Sequence, residues 1–116
     1  MTLTLDDAKR AARILLDQLP ADLLVCPAHG EPFKGLHTRL IALRDEHRGR
    51  LDRVEAAIGE QPMRIIDAFP LLFNRKIGAE ARELASGEAL AHFKRLECEG
   101  RAVRETIDGV RWYHAA

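Results

Sequence analysis

Near its C-terminal end the chain carries Asp108-Gly109 between two β-branched residues, Ile107 and Val110. Such a pair favours a two-residue type I′ turn, because both central residues must take a positive φ. The spacing predicts a hairpin in which residues 102–107 pair with residues 110–114. The turn also sets the register, with Ile107 opposite Val110 and Arg104 opposite Tyr113.

Helical patterns precede the hairpin. Leu36, Leu40, Leu43, His47, Leu51, Val54 and Ile58 form one stripe at helical spacing and predict a long helix over residues 36–58. Gly49 weakens it by about 1 kcal/mol without breaking the pattern. Gly59 and Pro62 stop it. Residues 63–73 read as a short helix with Ile65, Ile66, Phe69 and Leu72 inward, bent or restarted at Pro70. After a turn at residues 74–78, residues 79–99 read as a second helix. It carries Ala85, Ala89, Phe93 and Leu96 on one face, with Leu84 and Leu90 beside it. Ser86-Gly87 offers an alternative start, and Gly100 is placed as a C′ glycine. Three helices closed by a two-stranded wing make a winged helix over residues 36–116.

Residues 1–35 read as a different unit. Thr4 and Asp7 are spaced as a capping box, and Ala8, Ala11, Ala12, Leu15, Leu16 and Leu19 recur at helical spacing until Pro20. Leu23-Leu24-Val25-Cys26 is apolar on consecutive residues, the pattern of a strand buried on both faces of a parallel sheet. One such strand cannot form a sheet, so this unit reads as part of something larger. Pro27-Ala28-His29-Gly30-Glu31-Pro32 then reads as a tight loop holding His29 at the strand's C-terminal end, the edge where open α/β sheets build their sites. The fold class expected is therefore mainly α with a small β hairpin, a winged-helix-like domain preceded by an αβ remnant.

Composition narrows the function. Lys plus Arg equals Asp plus Glu at 18 each. That balance argues against a chain whose main task is to hold nucleic acid or anionic lipid. Cys26 and Cys98 stand far apart and form no CxxC pair. Two free thiols suit a reducing cytoplasm. Charges spread over the first 20 residues do not make a signal peptide. No apolar run approaches the ~20 residues that span a bilayer.

Residues 23–32 also resemble the end of a metallo-β-lactamase-fold domain, in which a strand delivers a histidine in a Pro-x-His-Gly-x-Pro loop. His47-Arg48 followed by Arg50 and Arg53, the run Gly87-Glu88-Ala89-Leu90-Ala91-His92-Phe93, and the Asp108-Gly109-Val110 turn resemble the winged-helix tail of one branch of that superfamily. The resemblance implies a metal-dependent hydrolase whose substrates range over thioesters, phosphodiesters, lactones and lactams. It implies that His29 is the last ligand of a site for two zinc ions. The superfamily's other ligands lie upstream, chiefly in a His-x-His-x-Asp-His motif, and no His-x-His occurs here. Zinc needs three or four donors in a fixed geometry, so one loop histidine cannot activate water. The chain is thus expected to be the non-catalytic C-terminal part of such a hydrolase, partnered by a missing N-terminal catalytic domain, with the tail structural or lining the substrate cleft.

The remaining polar residues have blander readings. His47 lies on an apolar stripe, where a histidine is more often a satisfied core residue than a ligand. His37 and His92 read as surface or boundary residues, with His37 near enough in sequence to line the same cleft mouth as His29. Arg48, Arg50 and Arg53 interleave with Asp45, Glu46, Asp52 and Glu55, which suits a salt-bridged solvent face. Cys26 reads as a small buried apolar residue. Glu31 reads as solvated. The alternative is a winged-helix nucleic-acid-binding or regulatory domain. Against it, residues 79–99 set Arg82, Lys94 and Arg95 against five glutamates, where a groove-reading helix would be basic. The apolar residues of the first unit also suggest a homodimer.

Overall fold

The computed structural model describes the backbone of residues 5–116 and side chains from residue 10 onward. The capping box proposed at Thr4 and Asp7 lies outside the described residues. Two units are distinguished, Met1–Glu46 and His47–Ala116.

The hairpin forms as its turn chemistry dictates. Strand β1 (Ala102–Ile107) pairs antiparallel with β2 (Val110–Ala115), with Ile107 facing Val110 and Arg104 facing Tyr113. Asp108 has φ 51° and Gly109 φ 78°, both in the left-handed region that a type I′ turn needs. Met63 extends the pairing, exchanging backbone hydrogen bonds of 2.9 and 2.8 Å with Tyr113.

In the first unit, helix α1 spans Leu5–Gln18. Residues 23–26 do not become a regular strand. They make one antiparallel bridge, Val25 to Phe33, through bonds of 2.7 and 3.0 Å. Leu24 is 61% exposed. The apolar run signals burial, but no neighbouring strand among the described residues offers it a sheet. Helix α2 (Leu36–Glu60) is continuous through Gly49 and leads out of this unit into the next.

The second unit is built around the last three turns of α2, which supply Leu51, Val54 and Ile58 to its core. A 3₁₀ turn (Ile65–Ala68) and the short helix α3 (Phe69–Leu72) follow. The 3₁₀ geometry corrects the expected inward face. With about three residues per turn, Ile65 and Ala68 share the inner face and Ile66 is left 48% exposed. A further 3₁₀ turn (Ala79–Ala81) opens into α4 (Arg82–Cys98), which runs unbroken through Ser86-Gly87. Ala85, Ala89, Phe93 and Leu96 are its buried face, whereas Leu84 is exposed. Helix α4 ends in a Schellman motif around Gly100 (φ 74°). The Arg101 N–H donates to the Leu96 carbonyl at 2.8 Å, and the Gly100 N–H to that of Glu97 at 3.1 Å. The hairpin closes the core from the other side. Tyr113 is fully buried, and its ring stacks on Phe93 with centres 4.4 Å apart. The chain is mainly helical with one antiparallel hairpin, as its periodicities predict.

Candidate functional site

The loop expected to carry a ligand is formed and tightly turned. The Val25–Phe33 bridge clamps both its ends, and Gly30 takes φ 98°, a conformation rarely open to a side chain. His29 and Glu31 stand exposed on it. Cys26, expected to be a buried apolar residue, is also exposed, because residues 23–26 join no sheet that would cover it among the described residues. His37 is half-buried and donates from Nε2 to the Leu19 carbonyl at 2.7 Å, tying the start of α2 to the end of α1 within the first unit.

A zinc centre is not formed by these residues alone. Among the described residues, no three His, Cys, Asp or Glu side chains come close enough to hold a metal ion. A zinc centre that activates water takes three protein ligands, so His29 supplies one donor where several are required.

In the second unit, the tail motifs are partly rearranged from expectation. His47 is exposed, not a core residue. The unit's core begins one turn later, at Leu51, so the imidazole stands beyond the edge of the packed layer. Its ring centre lies 6.3 Å from that of His92, which is half-buried on α4. Among the described residues, Arg48, Arg50 and Arg53 form no ion pair with the interleaved carboxylates of α2, of which Asp45 pairs with Arg44 at 3.6 Å. Asp52 and Glu55 instead reach Arg101, at 2.7 Å each, and Glu99 joins at 3.4 Å. Arg101 holds its proton more tightly than usual, first through its hydrogen bond to Glu55 and then through that to Asp52. Glu99 is pushed below the usual carboxylate range, chiefly by its hydrogen bond from Arg95 and further by Arg101. This network closes the end of α4 onto α2, and no local charge pattern announces it, because Arg101 is 46 residues from Glu55.

The hairpin carries a second feature that the sequence leaves unmarked. The Arg64 guanidinium lies 5.5 Å over the Trp112 ring and is held by two hydrogen bonds to the Asp67 carboxylate at 3.1 and 2.9 Å. Asp67 is lowered in pKa, first by the side-chain hydrogen bond from Arg64. Shallow depressions flank Trp112, one beside Pro62 and Ile107 and the other beside Ile66 and Pro70. The first is also lined by Glu105 and His114, whose Oε2 and Nε2 lie 3.7 Å apart, beyond hydrogen-bond reach.

Residues 51–116, more than half of the chain, match the family model described as metallo-beta-lactamase-like, C-terminal domain. The chain belongs to this family. This metallo-beta-lactamase-like C-terminal domain is similar to the crystal structure of a beta-lactamase domain protein from Burkholderia ambifaria. The two are 37% identical with a TM-score of 0.83, over 96% of this chain and 32% of that one. The chain thus spans about a third of the length of the solved structure it matches. No curated protein matches it. The resemblance carried by residues 23–32 and by the tail motifs agrees with these findings: the chain corresponds to the C-terminal part of a metallo-β-lactamase-fold protein. No described helix is long and apolar enough to cross a membrane.

Proposed function

We propose that this chain serves as the C-terminal part of a zinc-dependent hydrolase and does not catalyse a reaction alone. The observation that carries this reading is the family match over residues 51–116 joined to a loop that presents one exposed histidine. In this reading His29 completes a site for two zinc ions whose other ligands come from an upstream catalytic domain. The metal would supply a water acidic enough to attack at neutral pH. The chain's own part is narrower. Pro27, Gly30 and the Val25–Phe33 bridge fix the loop, so His29 is delivered with little backbone freedom left to lose. Residues 36–116 act as a winged-helix module, structural or lining the substrate cleft. The succession of α2, the short helical turns, α4 and the hairpin supports that description. The cytoplasm is the proposed location, in keeping with two free cysteines.

The test is a graft. The chain is assayed alone, and also in place of the matched third of the Burkholderia ambifaria protein, against a panel of thioester, phosphodiester, lactone and lactam substrates. The chain alone is expected to turn over none of them. The chimera is expected to bind zinc and hydrolyse at least one, with zinc content and rate both reduced by His29→Ala. Turnover by the chain alone, or a chimera whose zinc content ignores His29→Ala, would overturn the reading.

We also propose that the isolated chain associates with itself through the first unit. Leu15, Leu23 and Leu24 are exposed there, and residues 23–26 present backbone groups outside any sheet, which invites strand pairing. Sedimentation is expected to show dimers of the full chain at high micromolar concentration. A shortened chain beginning at Leu36 is expected to stay monomeric. Equal association of the two would contradict this.

A further inference from the structure

The tail motifs place one histidine on each of two helices, and the packing of the second unit brings the two rings together. His47 on α2 and His92 on α4 are 45 positions apart in the sequence, yet their ring centres are 6.3 Å apart with the planes tilted by 40°. The state of His92 is the more informative. Its Nδ1 lies 2.7 Å from the carbonyl oxygen of Glu88, one turn earlier on α4. A carbonyl can only accept, so Nδ1 carries the hydrogen, and in the neutral ring Nε2 keeps its lone pair. That Nε2 is buried and meets no hydrogen-bond partner within the protein. Buried polar atoms normally find one.

An imidazole fixed by Nδ1–H donation to a backbone carbonyl, with Nε2 left as a bare donor of electrons, is how metal-bound histidines are usually oriented. The separation suits this chemistry. A cation held at about 2 Å by one nitrogen of each ring sits about 3 Å from each ring centre, so two rings sharing it lie about 5 to 6 Å apart. His47 is exposed, and a small rotation of its side chain covers the difference. Imidazole pairs select borderline cations such as zinc, nickel and copper, whereas magnesium and calcium require oxygen donors.

We propose that His47 and His92 together form a two-histidine site for a divalent cation of the zinc, nickel and copper class, which bridges α2 to α4 and completes its coordination with water. Two protein donors make an exchangeable site rather than a permanent one. The cation clamps two helices that already share a core, so its binding favours the folded state. This site uses no residue of the His29 loop, and it stands independently of the hydrolase reading.

The test uses the full chain with zinc chloride as the probe and magnesium chloride as the control. Calorimetry is expected to give one zinc per chain through the two histidines. Zinc at about ten times its dissociation constant is expected to raise the thermal midpoint by about 5–10 °C, the size of shift that such saturation produces in a unit of this length. Magnesium is expected to leave the midpoint unchanged. His47→Ala removes only an exposed ring, so that variant should fold normally and lose the zinc-dependent rise; His92→Gln should lose it too. His29→Ala and His114→Ala should keep it. A midpoint indifferent to about 1 mM zinc, a rise that survives His47→Ala, or a stoichiometry of one zinc per two chains would each overturn the proposal.

Discussion

Phe93→Ala is expected to destabilise the second unit by about 3–5 kcal/mol, the range for deleting a buried aromatic ring. Phe93 has no exposed surface, and its ring stacks on Tyr113 at 4.4 Å. It is the point where α4 meets the hairpin, so its removal opens a cavity between two elements that cannot both collapse into it. A unit of this size holds only about 4–10 kcal/mol of total stability. Much of the variant should therefore be unfolded under mild denaturant. Urea unfolding followed by far-ultraviolet circular dichroism would measure this. The midpoint should fall by about 2–4 M, given a slope of about 1–2 kcal/mol per molar. Leu84→Ala serves as the control, since Leu84 is 71% exposed, and it should move the midpoint little. A Phe93→Ala shift smaller than that of Leu84→Ala would contradict the packing described.

Arg101→Met is expected to have the next largest effect, about 1–2 kcal/mol at neutral pH and low salt. The estimate is discounted because the side chain keeps 28% of its exposure and the carboxylates are partly solvated. The loss has two parts. The hydrogen bonds to Asp52, Glu55 and Glu99 disappear, and three carboxylates are left facing each other without their shared cation. The effect should shrink in high salt, which screens exposed charge. Its pH dependence has a definite sign. Glu99 has a folded pKa below its unfolded one, owing first to Arg95 and then to Arg101. Its contribution is present above the unfolded value and is lost as pH falls through the folded value. The gap between wild type and variant should therefore be full near neutrality and narrow as pH falls below about 4. The raised Arg101 pKa adds nothing to this window, because the guanidinium is charged throughout it. Thermal unfolding of both proteins across pH 3 to 7 would read the gap, about 5–10 °C at its widest. A gap that widens in acid would sink the idea.

Legibility in the sequence followed the range of the physics involved. The hairpin was readable to the register, because Asp108-Gly109 sets turn geometry within four residues and the pairing follows from it. Helix α4 and its end at Gly100 were readable for the same reason, since apolar spacing and a C′ glycine act within a few turns. Ile65, Phe69 and Leu72 face the core as expected, whereas Ile66 does not, because a 3₁₀ turn changes the period and the difference between three and 3.6 residues per turn leaves little trace in four residues. The strand expected at residues 23–26 rested on hydrophobicity alone, which reports a demand for burial but not what supplies it.

Among candidate site residues, His29 is singled out by its loop chemistry, with Pro27, Gly30 and Pro32 around it, and it stands exposed on that loop. The Arg101 network is not legible in the sequence, because its partners on α2 lie 46 and 49 positions away. The sequence by itself determined the local elements, the turn at Asp108-Gly109 and the family to which the tail motifs belong. Only the tertiary structure decided that His47 stands exposed beside His92, that Arg101 gathers the carboxylates of α2, and that Tyr113 fills the core against Phe93. Each of these depends on the meeting of α2, α4 and the hairpin. Which side chains face one another across two helices is set by crossing geometry and packing, and those are properties of the assembled core rather than of any segment within it.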